Sequence, residues 1–244
     1  MLEKTLCMLT VLIVSLSVYA GNDAQWSYTG DEGPQNWSKL DPGYSACTGR
    51  NQSPINLTDF IEADLPPITF NYVKGAENFV NNGHTVQVNF DKRSSIEIDG
   101  MTFYLLQYHF HAPGENHING KAYPMEAHFV HSDKDGNLAV IALMFEEGAE
   151  NKSLTKVWEH MPQQVGDVNA LTDVISANEL LPKSRDYYRY NGSLTTPPCS
   201  EGVRWLVLKE PVYASKKQID DYRHVMHHPN NRPLQAVNAR LILK

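Results

Sequence analysis

The chain has 244 residues, 41% of them hydrophobic and 20% charged, with a formal net charge of −7. That length and apolar content suit a single domain with a sizeable core. A mildly acidic chain without a basic stripe is a poor nucleic-acid binder and has no electrostatic pull towards anionic lipid.

Residues 1–20 read as a secretory signal. Lys4 supplies a positive start, Leu6–Val18 is an apolar run, and "VYA" offers small residues before a cut after Ala20. The run is short for a membrane span and no second one follows, although an uncleaved anchor is the alternative. Cys7 stands at the start of that run and is badly placed to be a lipoprotein cysteine. Residues 21–244 are then expected to form one domain. Its Gly-, Pro-, Trp- and Asn-rich beginning, 21–54, reads as ordered irregular chain laid over a sheet.

Strand patterns dominate the middle: "HTVQVNF" (84–90), "SSIEIDG" (94–100), "MTFYLLQYHFH" (101–111), "MEAHFVH" (125–131), "NLAVIALMF" (137–145) and later "VRWLVL" (203–208). Helical pattern is scarce. "SLTKVWEHM" (153–161), with Ser153 as N-cap, and "SKKQIDDYRHVM" (215–226), after Ser215, are the two candidates. The expected fold is mainly β (α+β): a large twisted, mostly antiparallel sheet with a few short peripheral helices. Two cysteines follow the signal, Cys47 and Cys199. An even pair in an exported chain reads as a disulfide, with two free buried thiols as the alternative. Such a bridge closes a loop of about 150 residues, worth up to roughly 5 kcal/mol.

Five of the ten histidines fall within 107–131. In a strand, residues two apart share a face. His109 and His111 therefore point one way with Gln107, and Phe110 points the other. An antiparallel neighbour brings His128 opposite them, with Glu126 and Val130 on its face and His131 turned away. Three imidazoles and an open fourth position fit a catalytic zinc site better than a structural one. Copper and iron also use three-His sites, and chance pairing of structural histidines is the plainer alternative. Gln107 and Glu126 are placed to hold the outer ring nitrogens. His117 is expected in the turn, and His160, His224, His227 and His228 near helix ends.

The motifs "NQSPINL" (51–57), "NNGHTVQV" (81–88), "QYHFHAPGENH" (107–117), "MEAHFVH", "LAVIALMF" (138–145), "GSLTTPPCSEGVRW" (192–205) and "NNRPLQAVNAR" (230–240), with "WSYTGDEGPQNW" (26–37) before them, resemble an α-class carbonic anhydrase. They occur in that family's order and span the chain after the signal. The wording of "HAPGENHING" and "KAYPMEAH" resembles its exported bacterial branch.

The resemblance implies zinc (Zn2+) held by His109, His111 and His128, and reversible hydration of carbon dioxide to bicarbonate and a proton by attack of zinc-bound hydroxide. It implies Thr195 as the gatekeeping hydroxyl, Glu115 as its carboxylate partner and His84 as proton shuttle. Val130, Val140, Leu194 and Trp205 would form the apolar substrate wall beside Thr195 and Thr196. Tyr28, Asn82 and Gln87 would line the cavity with polar groups, and Cys47–Cys199 would be the family's extracytoplasmic disulfide. His84 follows a glycine before an alternating strand and is expected to be exposed and mobile, with an imidazole of suitable proton affinity. If Glu115 is ionised it only accepts, so Thr195 must donate to it, which fixes the direction of the next hydrogen bond.

The bacterial branch suggests a homodimer in the periplasm or outside the cell. Neither nucleic acid nor a membrane span after signal cleavage is expected as a partner. Two rival functions are a zinc hydrolase acting on esters and a catalytically silent binding module of the same fold.

Overall fold

The computed structural model describes residues 25–171 and 175–244. The signal reading, Cys7 included, lies outside them. The strands run β1 (Asn56–Leu57), β2 (Thr69–Asn71), β3 (Ala76–Asn81), β4 (Val86–Phe90), β5 (Ser95–Ile98), β6 (Met101–His111), β7 (His117–Ile118), β8 (Met125–Ser132), β9 (Leu138–Glu147), β10 (Val168–Ala170), β11 (Tyr187–Ser193), β12 (Glu201–Leu208) and β13 (Val212–Ala214). Helices are α1 (Trp37–Leu40), α2 (Lys152–Trp158) and α3 (Lys216–Met226), with short 3₁₀ turns.

Among the described residues, eleven strands form one sheet whose main path is β10-β3-β4-β6-β8-β9-β12-β11. β5 pairs with the first part of β6, β2 with β5, and β13 with β9. β9 runs parallel to β12 and β13, and the other pairings of this sheet are antiparallel. The expected mainly β class is what the molecule shows. β6 coincides with the segment read from alternation, although a bulge between Leu105 and Gln107 shifts its period, so that Phe103 and Leu105 join Tyr108 and Phe110 in one core.

Alternation sorts the two faces of the sheet. Behind it, Tyr108, Phe110, Phe129, Ile141, Leu143 and Leu206 join the larger core, against which α2 and α3 pack. In front, Val130, Val140, Ala142, Val203, Trp205 and Val207 form a second core. The front face is where the histidines emerge.

Both helices begin where a side chain can satisfy their first amides. For α3 that is Ser215, which accepts from Gln218 N–H while the Gln218 side chain accepts from Ser215 N–H, a capping box. For α2 the cap is Asn151, not the expected Ser153. Asn151 Oδ1 accepts from the amides of Ser153 and Leu154 at 3.1 and 3.0 Å, so the helix starts earlier, at Lys152. It also stops at Trp158, short of His160 and Met161.

The described chain before β1, residues 25–55, packs around Tyr28, Trp37 and Tyr44. Cys47 and Cys199 are joined by a disulfide that ties this segment to the loop between β11 and β12. Among the described residues, no helix is long and apolar enough to cross a membrane.

Candidate metal centre

The antiparallel register of β6 and β8 sets His109 opposite His128 and His111 opposite Glu126. One ring nitrogen from each of His109, His111 and His128 lies within 4.8 Å of the other two. The outer nitrogens are all occupied. His109 Nδ1 meets Gln107 Oε1 at 2.8 Å, His128 Nε2 meets Glu126 Oε1 at 2.8 Å, and His111 Nδ1 meets the Asn230 carbonyl at 2.6 Å. Carbonyl and carboxylate oxygens only accept, so each outer nitrogen carries the proton. That leaves lone pairs on Nε2 of His109, Nε2 of His111 and Nδ1 of His128.

All three rings are held neutral. Burial is the first cause in each; for His109 the neighbouring charges of His111 and His128 add to it, and for His128 that of His111. For His111 the Asn230 carbonyl and Glu126 pull the other way without reversing the shift. His111 Nε2 is buried with no hydrogen-bond partner. A buried lone pair without a donor is costly, and a cation bound by three neutral imidazoles satisfies it. The donor set, without thiolate or carboxylate, suits zinc rather than magnesium or calcium.

Glu126 also builds the next part of the site. Its Oε2 accepts the amides of Glu115 and Asn116 at 2.6 and 2.8 Å, and its Oε1 accepts Asn116 Nδ2 at 2.7 Å. The loop after β6 is thereby folded back so that the Glu115 carboxylate enters the interior. Glu115 Oε1 accepts the Arg232 amide at 2.7 Å. Its Oε2 lies 3.6 Å from His111 Nε2 and 3.9 Å from His128 Nδ1, too far for hydrogen bonds. Burial pushes the Glu115 carboxyl up to about 8, and the negative Glu126 adds to this. The Arg232 amide, the Thr195 hydroxyl and the Arg232 charge pull it down. A cation beside these rings would favour the ionised form.

A row of paired residues crosses the front face beside the histidines: Gln107, Val130, Val140, Trp205. The next row is Gln87, His109, His128, Ala142, Val207. Gln87 is half-buried there and donates to Asn89 Oδ1 at 2.6 Å. Trp205 stands edge-on to His128 at 4.8 Å between ring centroids, and its Nε1 donates to the Ser193 carbonyl. Leu194 packs against the same apolar group. The loop carrying Leu194, Thr195 and Thr196 is closed by Leu194 N–H on Ser200 O and Cys199 N–H on Thr196 O, and pinned by the disulfide.

A family model described as eukaryotic-type carbonic anhydrase matches residues 32–244. The chain belongs to the α-carbonic anhydrase family. It is 47% identical over 243 residues to a carbonic anhydrase of Pectobacterium carotovorum, covering 99% of this chain and 100% of that one. It superposes with a TM-score of 0.88 on the α-carbonic anhydrase of Thermovibrio ammonificans, solved with the inhibitor sulfanilamide. That pair is 52% identical, covering 91% of this chain and 99% of that chain. For the α-carbonic anhydrase of Photobacterium profundum the values are 0.85, 46%, 90% and 100%.

Within this carbonic anhydrase fold, three further candidate residues, His84, Asn82 and Tyr28, gather around Trp26. His84 is half-buried rather than exposed: its ring stacks on Trp26 at 3.7 Å and 8°. Burial, and then the charge of His228, lower its proton affinity. Asn82 is exposed, and its Oδ1 accepts the amides of His84 and Thr85, so it shapes the loop that presents His84. Tyr28 is buried edge-on to Trp26 and Trp37.

His131 faces the rear core, as strand parity predicts, with Nδ1 on the Ala139 carbonyl and Nε2 on the Tyr72 hydroxyl. His117 lies in β7, not in a turn. The sequence reading missed Asn230, Arg232 and Trp26. The first two meet His111 and Glu115 through backbone atoms, which no side-chain pattern reveals; the stack of Trp26 on His84 joins residues 58 positions apart.

Proposed function

We propose that this chain is a zinc enzyme that interconverts carbon dioxide and bicarbonate. The observation that carries the proposal is the set of three neutral imidazoles with their outer N–H groups bound and their lone pairs converging, one of them buried without a partner. His109, His111 and His128 would hold the ion, with Gln107, Asn230 and Glu126 fixing their ring tautomers. Bound there, zinc would supply Lewis acidity that brings the pKa of a water near neutrality, a known property of zinc enzymes, carbonic anhydrases included.

The protein's own groups direct the rest. With Glu115 ionised, as a bound cation would favour, and Oε1 occupied by the Arg232 amide, Oε2 is the acceptor open to the Thr195 hydroxyl. Once that hydroxyl donates, only its lone pairs face the cavity, so the attacking oxygen must donate to Thr195 and turn its own lone pair to the substrate. An uncharged substrate is matched by an apolar wall, and Val130, Val140, Leu194 and Trp205 lie in one cluster beside His128, with Thr196 two residues on from Leu194 in the same loop. His84 takes the proton outward. Tyr28, Asn82 and Gln87 line or shape the polar side of the path.

The same reading treats residues 1–20 as a secretory signal and 21–244 as one catalytic domain, exported to the periplasm or beyond and paired as a homodimer. The disulfide supports export.

Stopped-flow hydration of carbon dioxide, with and without a zinc chelator, tests the activity. Hydration well above the buffer-only rate, lost to the chelator and restored by zinc, is expected. A zinc-loaded protein working at the buffer-only rate refutes it.

A further inference from the structure

Helix α3 ends on His227, whose backbone is left-handed at φ 61° and whose N–H returns to Arg223 O at 3.0 Å. This turn sends the following residues back across the front of the sheet. Along that short run, the Asn230 carbonyl holds His111, the Asn230 side chain donates to His84 O at 3.0 Å, and the Arg232 amide holds Glu115. His228 is two residues before Asn230 and is exposed.

Its ring lies 6.3 Å from that of Tyr28, Tyr28 lies 5.3 Å from Trp26, and Trp26 carries the stacked His84. The two imidazoles thus share one aromatic cluster, in which His84 is half-buried and His228 exposed. His228 Nδ1 meets Pro229 O at 3.0 Å, so in the neutral ring Nδ1 carries the proton and Nε2 a free lone pair.

We propose that His228 is a second proton carrier, accepting the proton from His84 and handing it to a base in solution. An N–H bond of the His84 imidazolium breaks and leaves its electron pair on that nitrogen as the proton passes to an intervening water, which gives up one of its own protons to form a new N–H on His228 Nε2. A buffer base then removes that proton and restores the neutral ring. The inference rests on His84 being the shuttle.

The coupling is already visible in His84, whose proton affinity is lowered by the charge on His228 as well as by burial. The other titratable groups around the pair are Glu32, Asp41 and Tyr44, which share with His84 a cavity of about 710 Å³, with Tyr28 beside His228 and with His224 and His227 at the end of α3.

The test compares the zinc-loaded wild type, His84→Ala, His228→Ala and the double variant in weak and strong buffer, with imidazole NMR titration of each. The expected result is a severalfold lower kcat for His228→Ala in weak buffer, with kcat/KM unchanged and the loss rescued by added imidazole. His84 should titrate at higher pH in His228→Ala. An unchanged kcat in weak buffer overturns the inference, as does a loss equal at every buffer strength. An unmoved His84 titration overturns it whatever the activity. Absence of hydration by the wild type in strong buffer counts instead against the proposed function.

Discussion

Glu126 and His128, two residues apart on one face of β8, are joined by a 2.8 Å hydrogen bond from ring Nε2 to carboxylate Oε1. The other oxygen of Glu126 binds the amides of Glu115 and Asn116. One carboxylate therefore sets both the tautomer of a candidate zinc ligand and the loop that brings Glu115 inside.

Four donors converge on the two Glu126 oxygens. In Glu126→Gln one end of the side chain becomes an NH₂ group, which must face donors whichever way it turns. Zinc affinity should fall about 10–100-fold, the usual effect of losing a partner behind a metal-bound histidine. Titration against a competing chelator measures it. Unchanged affinity would show that the loop and His128 do not depend on this carboxylate.

Acid should weaken the fold through His131. Burial lowers its pKa to about 4, and hydrogen bonds from its ring to the Ala139 and Phe129 carbonyls only partly oppose this. The unfolded chain takes up the proton near the ordinary histidine value of about 6.5. Above that pH neither state is charged and the contribution is complete. Between it and about 4 only the unfolded state binds the proton, so stability falls with pH by about 3 kcal/mol. Urea unfolding at pH 7 and pH 4.5 should show a smaller acid loss in His131→Gln than in the wild type. Equal losses would mean that His131 titrates normally in the fold.

Tyr108 points into the rear core among Phe90, Phe110 and Phe129, and its hydroxyl is buried without a partner among the described residues. Tyr108→Phe keeps the ring and removes the unpaired group. It should stabilise the protein by about 1 kcal/mol, or roughly 2–4 °C in Tm. A clear drop in Tm would reveal a bond to that hydroxyl.

Gly192 lies where β11 passes Trp205. A Cβ there would overlap Ser53 Oγ and stand 2.8 Å from Tyr190 Cε2 and 3.0 Å from Trp205 Cδ1. Gly192→Ala should cost about 1–3 kcal/mol, as overpacking of a core commonly does. Hydration should slow with it, because Trp205 borders His128. Chemical denaturation and stopped-flow assays check the two effects together. Full stability would show that Ser53 and Tyr190 can yield.

Strand parity in the bare sequence already separated His109, His111 and His128 from His131, and placed Gln107, Glu126 and Val130 on the ligand face. It could do so because side-chain direction along an unbroken stretch of strand depends on position alone, and the bulge in β6 lies before Gln107. The α3 boundary was equally local, since Ser215 and Gln218 cap within a single turn. Only the tertiary structure decided what comes from far along the chain through groups common to every residue. The Asn230 carbonyl reaches His111 over 119 positions, and the Arg232 amide reaches Glu115 over 117. Trp26 covers His84, which its glycine-flanked loop alone marked as exposed. Backbone donors and acceptors carry no sequence signature, so their partners exist only once the chain has folded.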